Sequence, residues 1–400
     1  MEMMDVWMWP QSVLLHGAEK TVSNCARAGF TDIFFLAKGL AGTTTFHGSF
    51  APHCSQRDLL KEVLAAAHKR GIRVHAWFTS ACDEHYKQQH PESGRCHYLR
   101  GKDRELISLA DNGYLAYMEK VIRELCRNEE IDGLHLDYIR YNHLMYGWAE
   151  EDLARYAAEG AEINELRTWI QRTFLDEAKD EHVIFDAYRS GDPNVLAMAR
   201  ARRKDVFRFA HTLTSLARAE RSSLILSAAL MPEGAYEDTA FADLHYGQSY
   251  EDAAVLYDYA LPMAYSKAYG QDAQWVKRVG EGTMKRGLQT IVGLHAYEGG
   301  TANALQADIA ALKSASVHGI CLFREGAFAI AYGEGSKVSI YNPTGEILTG
   351  VKGQNGEQTV EMKVDISPGE EKCICLPFEA QVVSAFAGEK EVCVYLTPKN

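Results

Sequence analysis

The chain has 400 residues, 46% hydrophobic and 24% charged, which is ordinary for a globular protein and enough to bury a large core with a smaller unit beside it. A net charge of -12 and a pI near 5.7 argue against nucleic acid or an anionic membrane surface as partner, because either would need a clustered basic face. No run approaches the roughly 18 apolar residues of a membrane-crossing helix, so membrane insertion is not expected.

The N-terminus MEMMDVWMWPQS carries neither the basic flank nor the apolar run of a secretory signal. The nine cysteines (Cys25, Cys54, Cys82, Cys96, Cys126, Cys321, Cys373, Cys375 and Cys393) are odd in number and scattered, several of them inside apolar patterns. Reduced thiols and a cytoplasmic setting are therefore expected.

To about residue 330, short apolar or aromatic runs alternate with longer amphipathic segments, the pattern of repeated βα units. Eight strands are predicted: DVWMWP (5–10), TDIFFLAK (31–38), RVHAWFTS (73–80), GLHLDYIRY (133–141), SLILSAALMP (223–232), YALPMAYS (259–266), TIVGLHAYE (290–298) and GICLFREG (319–326). Segments between them, such as RDLLKEVLAAAHKRG and GYLAYMEKVIRELCRNE, repeat apolar residues at helical spacing. Eight βα units predict a TIM barrel, (β/α)8, over residues 1–332. An open doubly wound sheet would usually carry a glycine-rich phosphate loop after its first strand, and here that strand ends in Trp9-Pro10. No cofactor is expected.

The connection after the fourth strand, residues 142–198, is unusually long, and Tyr146, Trp148 and Tyr188 in it are expected to help wall a substrate cleft. From about Gly333 the pattern changes to short alternating strands separated by NPTGE, GQNGE, SPGEE and AGEK turns. Residues 333–400 read as a small, sandwich-like all-β domain. Its aromatics, Tyr341, Phe378, Phe386 and Tyr395, lie mostly in apolar contexts, as in a cap packed on the barrel rather than a sugar-binding module.

In the fourth strand, alternation sets Gly133, His135 and Asp137 on one face and Leu134 and Leu136 on the other. A carboxylate is costly to bury without partners, so an acid where a strand leaves the core points to the floor of a cleft. The other strand ends supply Trp7, Trp9, Lys38, Trp77, Tyr138, Arg140, Glu233, Tyr265, His295, Tyr297, Glu298, Arg324 and Glu325. Aromatic faces stack on sugar rings, while carboxyl and basic groups bind hydroxyls and supply acid-base chemistry, so a carbohydrate is the expected partner. Glycoside hydrolysis needs two carboxyl groups, about 5 Å apart for retention and about 6.5 to 9.5 Å apart for inversion. Asp137 is the first, and Glu233, Glu298 and Glu325 compete for the second.

Blander readings stand beside these. Each glutamate could be a surface residue, Asp137 with Arg140 a structural ion pair, and His135 a hydrogen-bonded core histidine rather than a group touching substrate. Cys82, His85, Cys96 and His97 cluster in the third loop, but their spacing is no standard zinc pattern, and the first strand carries Trp7 and Trp9 where a metallohydrolase would carry a histidine pair. No metal is expected.

GLHLDYIRY is similar to the fourth-strand signature of the glycoside-hydrolase-like 10 family, bacterial TIM-barrel proteins related to the α-amylase-like hydrolases. HAWF, ARRKDVFRFA, SAAL and YGQSYEDA…YALPMAY match in order, so the resemblance covers most of residues 5–330. It implies hydrolysis of a bacterial polysaccharide or other glycan, with Asp137 catalytic, Arg140 orienting, and Trp77 and Tyr265 walling the sugar site. On this reading Arg140 and Lys38 keep Asp137 ionised while a loop glutamate donates the proton. The competing function is a catalytically silent carbohydrate-binding barrel.

Overall fold

The computed structural model describes residues 2–397. Eight parallel strands form the barrel: Met3–Met8, Asp32–Lys38, Arg73–Thr79, Gly133–Asp137, Ile225–Leu230, Tyr259–Pro262, Ile291–His295 and Gly319–Glu325. Neighbours in sequence are neighbours in space, the first strand pairs with the eighth, and the bridges Ala260–Thr290 and Met263–Gly293 close the ring between sixth and seventh. The expected (β/α)8 architecture is present with the expected strand order.

Several of the helices between the strands start on side-chain caps. Asp111 accepts a hydrogen bond from the Tyr114 N–H at 2.8 Å, Asp272 from that of Trp275 at 2.9 Å, and Thr301 from that of Ala304 at 3.2 Å. Each cap contributes about 1 kcal/mol and fixes where a loop hands over to a helix.

Two strands end earlier than the sequence expectation. The fourth ends at Asp137 because Tyr138 takes a left-handed conformation, φ 57°. The sixth ends at Pro262, one residue before the bridge from Met263 to Gly293.

Large side chains fill the barrel interior. The Trp7 ring lies 6.0 Å from Phe34, 6.5 Å from Trp77 and 5.8 Å from Phe323, and its indole N–H donates to His135 Nε2 at 3.1 Å. The other ring nitrogen of His135 meets the Ser227 hydroxyl at 2.9 Å, so this buried imidazole is fully partnered. Glycine is required at 293, where a Cβ would come within 2.8 Å of the Trp7 ring.

The long excursion after the fourth strand is a helical layer rather than an open loop. Glu150–Ala158, Ile163–Ile170, Val183–Arg189 and the start of Pro193–Glu220 enclose their own core of Leu144, Trp148, Tyr156, Leu166, Ile184, Met198 and Leu244. Arg202, fully buried, ties this layer together by donating to the carbonyls of Leu244 at 3.1 Å, Leu144 at 3.2 Å and Tyr146.

Two four-stranded sheets make the C-terminal appendage. One holds Glu371–Cys375, Lys337–Tyr341, Ala329–Glu334 and Val394–Leu396, and the other Gln358–Ile366, Leu348–Asn355, Val382–Ala387 and Lys390–Val392. The strand Ala329–Glu334 already pairs inside this unit, so it crosses the boundary expected at 332. The appendage packs on the barrel through the stacked rings of Phe30 and Tyr395 at 5.5 Å and the bond from Arg27 to Glu371 at 2.8 Å.

Replacing Arg202 with Ala would remove its donors from the Leu244 and Tyr146 carbonyls, while Leu144 keeps that of Trp148, and would leave a cavity. Arg202→Ala is expected to lower stability by about 3 kcal/mol, read as a fall in the urea midpoint. A loss below about 1 kcal/mol would mean that the helical layer is held by its apolar core alone.

Candidate active site

At the C-terminal mouth of the barrel lies a cavity of about 430 Å³, walled by Trp7, Trp9, Trp77, Tyr138, Tyr265 and Phe323, with Asp137 and Arg140 among its polar lining. Six aromatic side chains stand in this wall, so a ligand with flat apolar faces fits, and the few polar groups fix its orientation.

Asp137 is only 6% exposed. One carboxylate oxygen accepts the Tyr138 backbone N–H at 2.7 Å and the other the Trp77 indole N–H at 3.2 Å. The left-handed turn at Tyr138 folds that N–H back onto Asp137, a conformation that costs about 1 to 3 kcal/mol and recurs at functional sites. Burial pushes the Asp137 carboxyl up from its ordinary value, while the Arg140 charge and these two N–H donors oppose the shift.

Arg140 joins this acid to a second one. Its guanidinium lies 4.9 Å from the Tyr138 ring and 5.9 Å from the Tyr246 ring, and its Nε is buried with no hydrogen-bond partner. The Tyr246 hydroxyl donates to Glu233 at 3.4 Å, and the Tyr269 hydroxyl also favours its charged form. Burial raises the affinity of Glu233 for its proton, only partly countered by those hydroxyls and by Arg140. The second oxygen of Glu233 is buried and unpartnered.

Glu298 and Glu325 are not brought to this cavity. Glu298 is exposed and ion-paired to Lys390 of the appendage at 3.2 Å. Glu325 lies behind the barrel wall, beside Ser12 and Cys25, because the last strand shifts register: Trp7 stands opposite Phe323, but Met8 stands opposite Glu325. That bulge turns Glu325 to the outward face shared by Met8.

Lys38 undergoes the same reversal. Leu36 pairs with Trp77, but Lys38 pairs with Phe78, so the ammonium turns out of the barrel, ion-pairs with Asp83 at 3.0 Å and donates to the Cys82 carbonyl at 2.8 Å. The expectation that Lys38 supports the charge of Asp137 is corrected accordingly: Arg140 is the cation acting on it.

His135 lies beneath the cavity in the interior layer of Trp7. His295 and Tyr297 stand just outside, their rings 4.1 Å apart and tilted by 33°, and they lie 6.1 and 5.9 Å from Tyr265 in the wall. Arg324 covers the Trp9 ring at 3.7 Å.

The excursion does not line the cavity either. Trp148 donates to the Leu144 carbonyl at 2.8 Å and Tyr188 to Asp243 at 2.7 Å, while Tyr146 donates to Asp103 of the hairpin in the third loop at 3.0 Å, so none of the three aromatics lines the cavity. Among the described residues, no group of three His, Cys, Asp or Glu side chains is placed to hold a metal ion. Sequence reading missed Tyr246 and Tyr269, which follow a short helix and a loop rather than strand ends; their aromatic character was the only signal.

No family model matches the sequence, and no curated protein does. Solved structures with the same fold include the glycoside hydrolase domain of PgaB (BpsB) from Bordetella bronchiseptica, with a TM-score of 0.64 at 12% identity over 81% of this chain and 94% of that one. Alpha-L-fucosidase isoenzyme 2 from Paenibacillus thiaminolyticus aligns with a TM-score of 0.58 at 13% identity, over 81% of this chain and 46% of that one. The catalytic domain of a beta-amylase from Paenibacillus polymyxa gives 0.56 at 10% identity, over 80% and 92%. At such identities the likeness is one of fold, a (β/α)8 barrel shared with glycoside hydrolases.

Burial pushes Glu325 up to about 7 from an ordinary value of 4.5. Between those values the folded state holds a proton that the unfolded chain has lost. The contribution of this group to stability is therefore fully present below pH 4.5 and lost as pH rises through 7. Glu325→Gln should leave the melting temperature unchanged at pH 4 and stabilise the protein by about 3 kcal/mol at pH 8.5. An equal effect at both pH values would show that packing, not charge, sets the cost.

Proposed function

We propose that the chain is a glycoside hydrolase in which Asp137 acts ionised, as nucleophile or base, and Glu233 donates the proton to the leaving oxygen. The observation that carries this reading is a pair of carboxyls from consecutive strand ends, both within the field of Arg140: Asp137 in the lining of the aromatic cavity, and Glu233 outside that lining but joined to it through Tyr246 and Arg140. Two N–H donors and the Arg140 charge support the ionised form of Asp137, whereas Glu233 has a tyrosine hydroxyl at 3.4 Å and one oxygen without a partner, so on this reading Asp137 ionises first. Environments that push two acids apart in this way define acid and base roles. The order of motifs from GLHLDYIRY to YALPMAY supports the narrower kinship with the glycoside-hydrolase-like 10 family and, with it, a bacterial glycan as substrate.

In the proposed reaction the sugar ring rests against Trp7, Trp77 and Tyr265. Glu233 protonates the glycosidic oxygen as its bond to C1 breaks, and either Asp137 or a water it deprotonates forms the new bond to C1. Arg140 keeps Asp137 charged as the positive ring develops.

Activity on a panel of polysaccharides and aryl glycosides tests this. Asp137→Asn should cut turnover of every substrate by at least about 10³-fold without loss of fold or sugar affinity. Glu233→Gln should cut turnover of unactivated glycans by about 10²- to 10⁴-fold, spare aryl glycosides whose leaving group needs no proton, and abolish the fall in activity as pH rises through the raised Glu233 value. Near-normal turnover in Asp137→Asn would remove that residue from catalysis. Tight binding of a glycan with no hydrolysis by the wild type would replace this reading with that of a silent sugar-binding barrel.

A further inference from the structure

Two arginines at the barrel mouth lack partners. Among the described residues, every other buried or half-buried arginine donates to a carboxylate or a carbonyl. The guanidiniums of Arg140 and Arg324 are half-buried as well, yet among the described residues they make no hydrogen bond and no ion pair. A guanidinium drawn partly out of water without an acceptor is costly, and two at one mouth, in a chain of net charge -12, ask for negative groups.

Arg140 has one within its field, the carboxyl of Asp137. Arg324 has none on its side of the wall. The acid acting on it is its chain neighbour Glu325, which lies behind the barrel wall beside Ser12 and Cys25, where burial favours the uncharged form.

Arg324 belongs to the eighth strand, and its guanidinium lies 3.7 Å from the ring centre of Trp9, which follows the first strand. In the closed ring these two strands stand opposite the fourth and fifth, which lead to Asp137 and Glu233. Trp9 and Asp137 line the same cavity of about 430 Å³, so a sugar whose reacting carbon meets Asp137 turns its far end toward Trp9. Arg324 stands behind Trp9 rather than in the lining, and with no bond to hold it the long side chain can swing past the indole edge. Stacking uses the flat face of a guanidinium and leaves its in-plane N–H groups open. A planar carboxylate meets that edge with two parallel charge-assisted bonds, whereas a neutral hydroxyl can make only weaker ones. In a hexuronic acid the carboxylate stands outside the ring at C5, separated from C1 by the ring oxygen.

Resting on the hydrolase reading above, we propose that the sugar held in the cavity is a hexuronic acid, with C1 at Asp137 and its carboxylate on the open edge of Arg324. Arg324 is then the specificity-determining residue: it distinguishes a uronide from the neutral sugar of the same configuration, while the aromatic walls accept either ring.

The test uses 4-nitrophenyl glucuronides and galacturonides in both anomeric configurations, the matching glucosides and galactosides, and the 6-sulfates of the latter. Wild type, Arg324→Gln and Arg324→Lys are compared by kcat/KM, with melting temperatures as the check on folding. Titration calorimetry with free uronic acids and their parent hexoses reads binding apart from chemistry. The wild type should prefer one uronide over its hexoside by about 100-fold, and Arg324→Gln should erase that ratio. Arg324→Lys keeps the charge without the two-pronged edge and should retain about a tenth of the ratio, so the proposal stays testable if the Gln variant does not fold. Hexosides cleaved as well as uronides, or a uronide preference that survives Arg324→Gln, would overturn the proposal while leaving the hydrolase reading intact. Preference for a 6-sulfate over the uronide would overturn the assignment to a carboxylate. If no glycoside is cleaved, Arg324-dependent binding of a uronic acid supports the anion site and sinks only the hydrolase reading, whereas equal binding of uronic acid and hexose overturns the anion site.

Discussion

A carboxylate buried at the end of a parallel strand is the constraint around which the mouth of this barrel is arranged. Asp137 has almost no contact with solvent, and a charge in that position is tolerable only with hydrogen-bond donors and a nearby cation. The donors come from a left-handed Tyr138 and from Trp77, the cation from Arg140. Strain at Tyr138, the early end of the fourth strand and the inward set of Trp77 are three local consequences of one electrostatic requirement. Because Arg140 also acts on Glu233, that requirement extends to the next loop.

The interior layer beneath the acid explains why its neighbours can be so rigid. Trp7 fills the barrel centre, His135 and Ser227 satisfy its indole through a chain of hydrogen bonds, and Gly293 gives up a side chain to make room. A floor packed this tightly has few alternative arrangements, so the aromatic walls above it are held in place before any ligand arrives.

Much of this was legible in the sequence, for definite physical reasons. Period-two alternation in GLHLDYIRY placed Asp137 inside, and eight apolar runs separated by amphipathic helices placed it at the mouth of a barrel. Parity failed where strands bulge. Lys38 and Glu325 sit at inward positions by simple counting, yet a one-residue shift against the neighbouring strand turns both outward, to Asp83 and to Ser12. No residue type at either position announces the bulge. Glu298 failed for another reason, since a glutamate in a loop has no period to read and here meets Lys390 across the interface with the appendage. Length alone marked residues 142–198 as unusual, but whether an excursion walls a cleft or folds on itself depends on packing; its apolar residues closed a separate core instead.

The central proposal is that one environment separates two acids, with Asp137 charged and Glu233 protonated at the same pH. Carbon-13 NMR titration of the side-chain carboxyls, in the wild type and in Asp137→Asn and Glu233→Gln, measures this directly. The account predicts two resolved titrations, the lower vanishing in Asp137→Asn and the higher in Glu233→Gln, with Glu233 above its ordinary range. The reverse order, or two carboxyls ionising together at ordinary values, would contradict it.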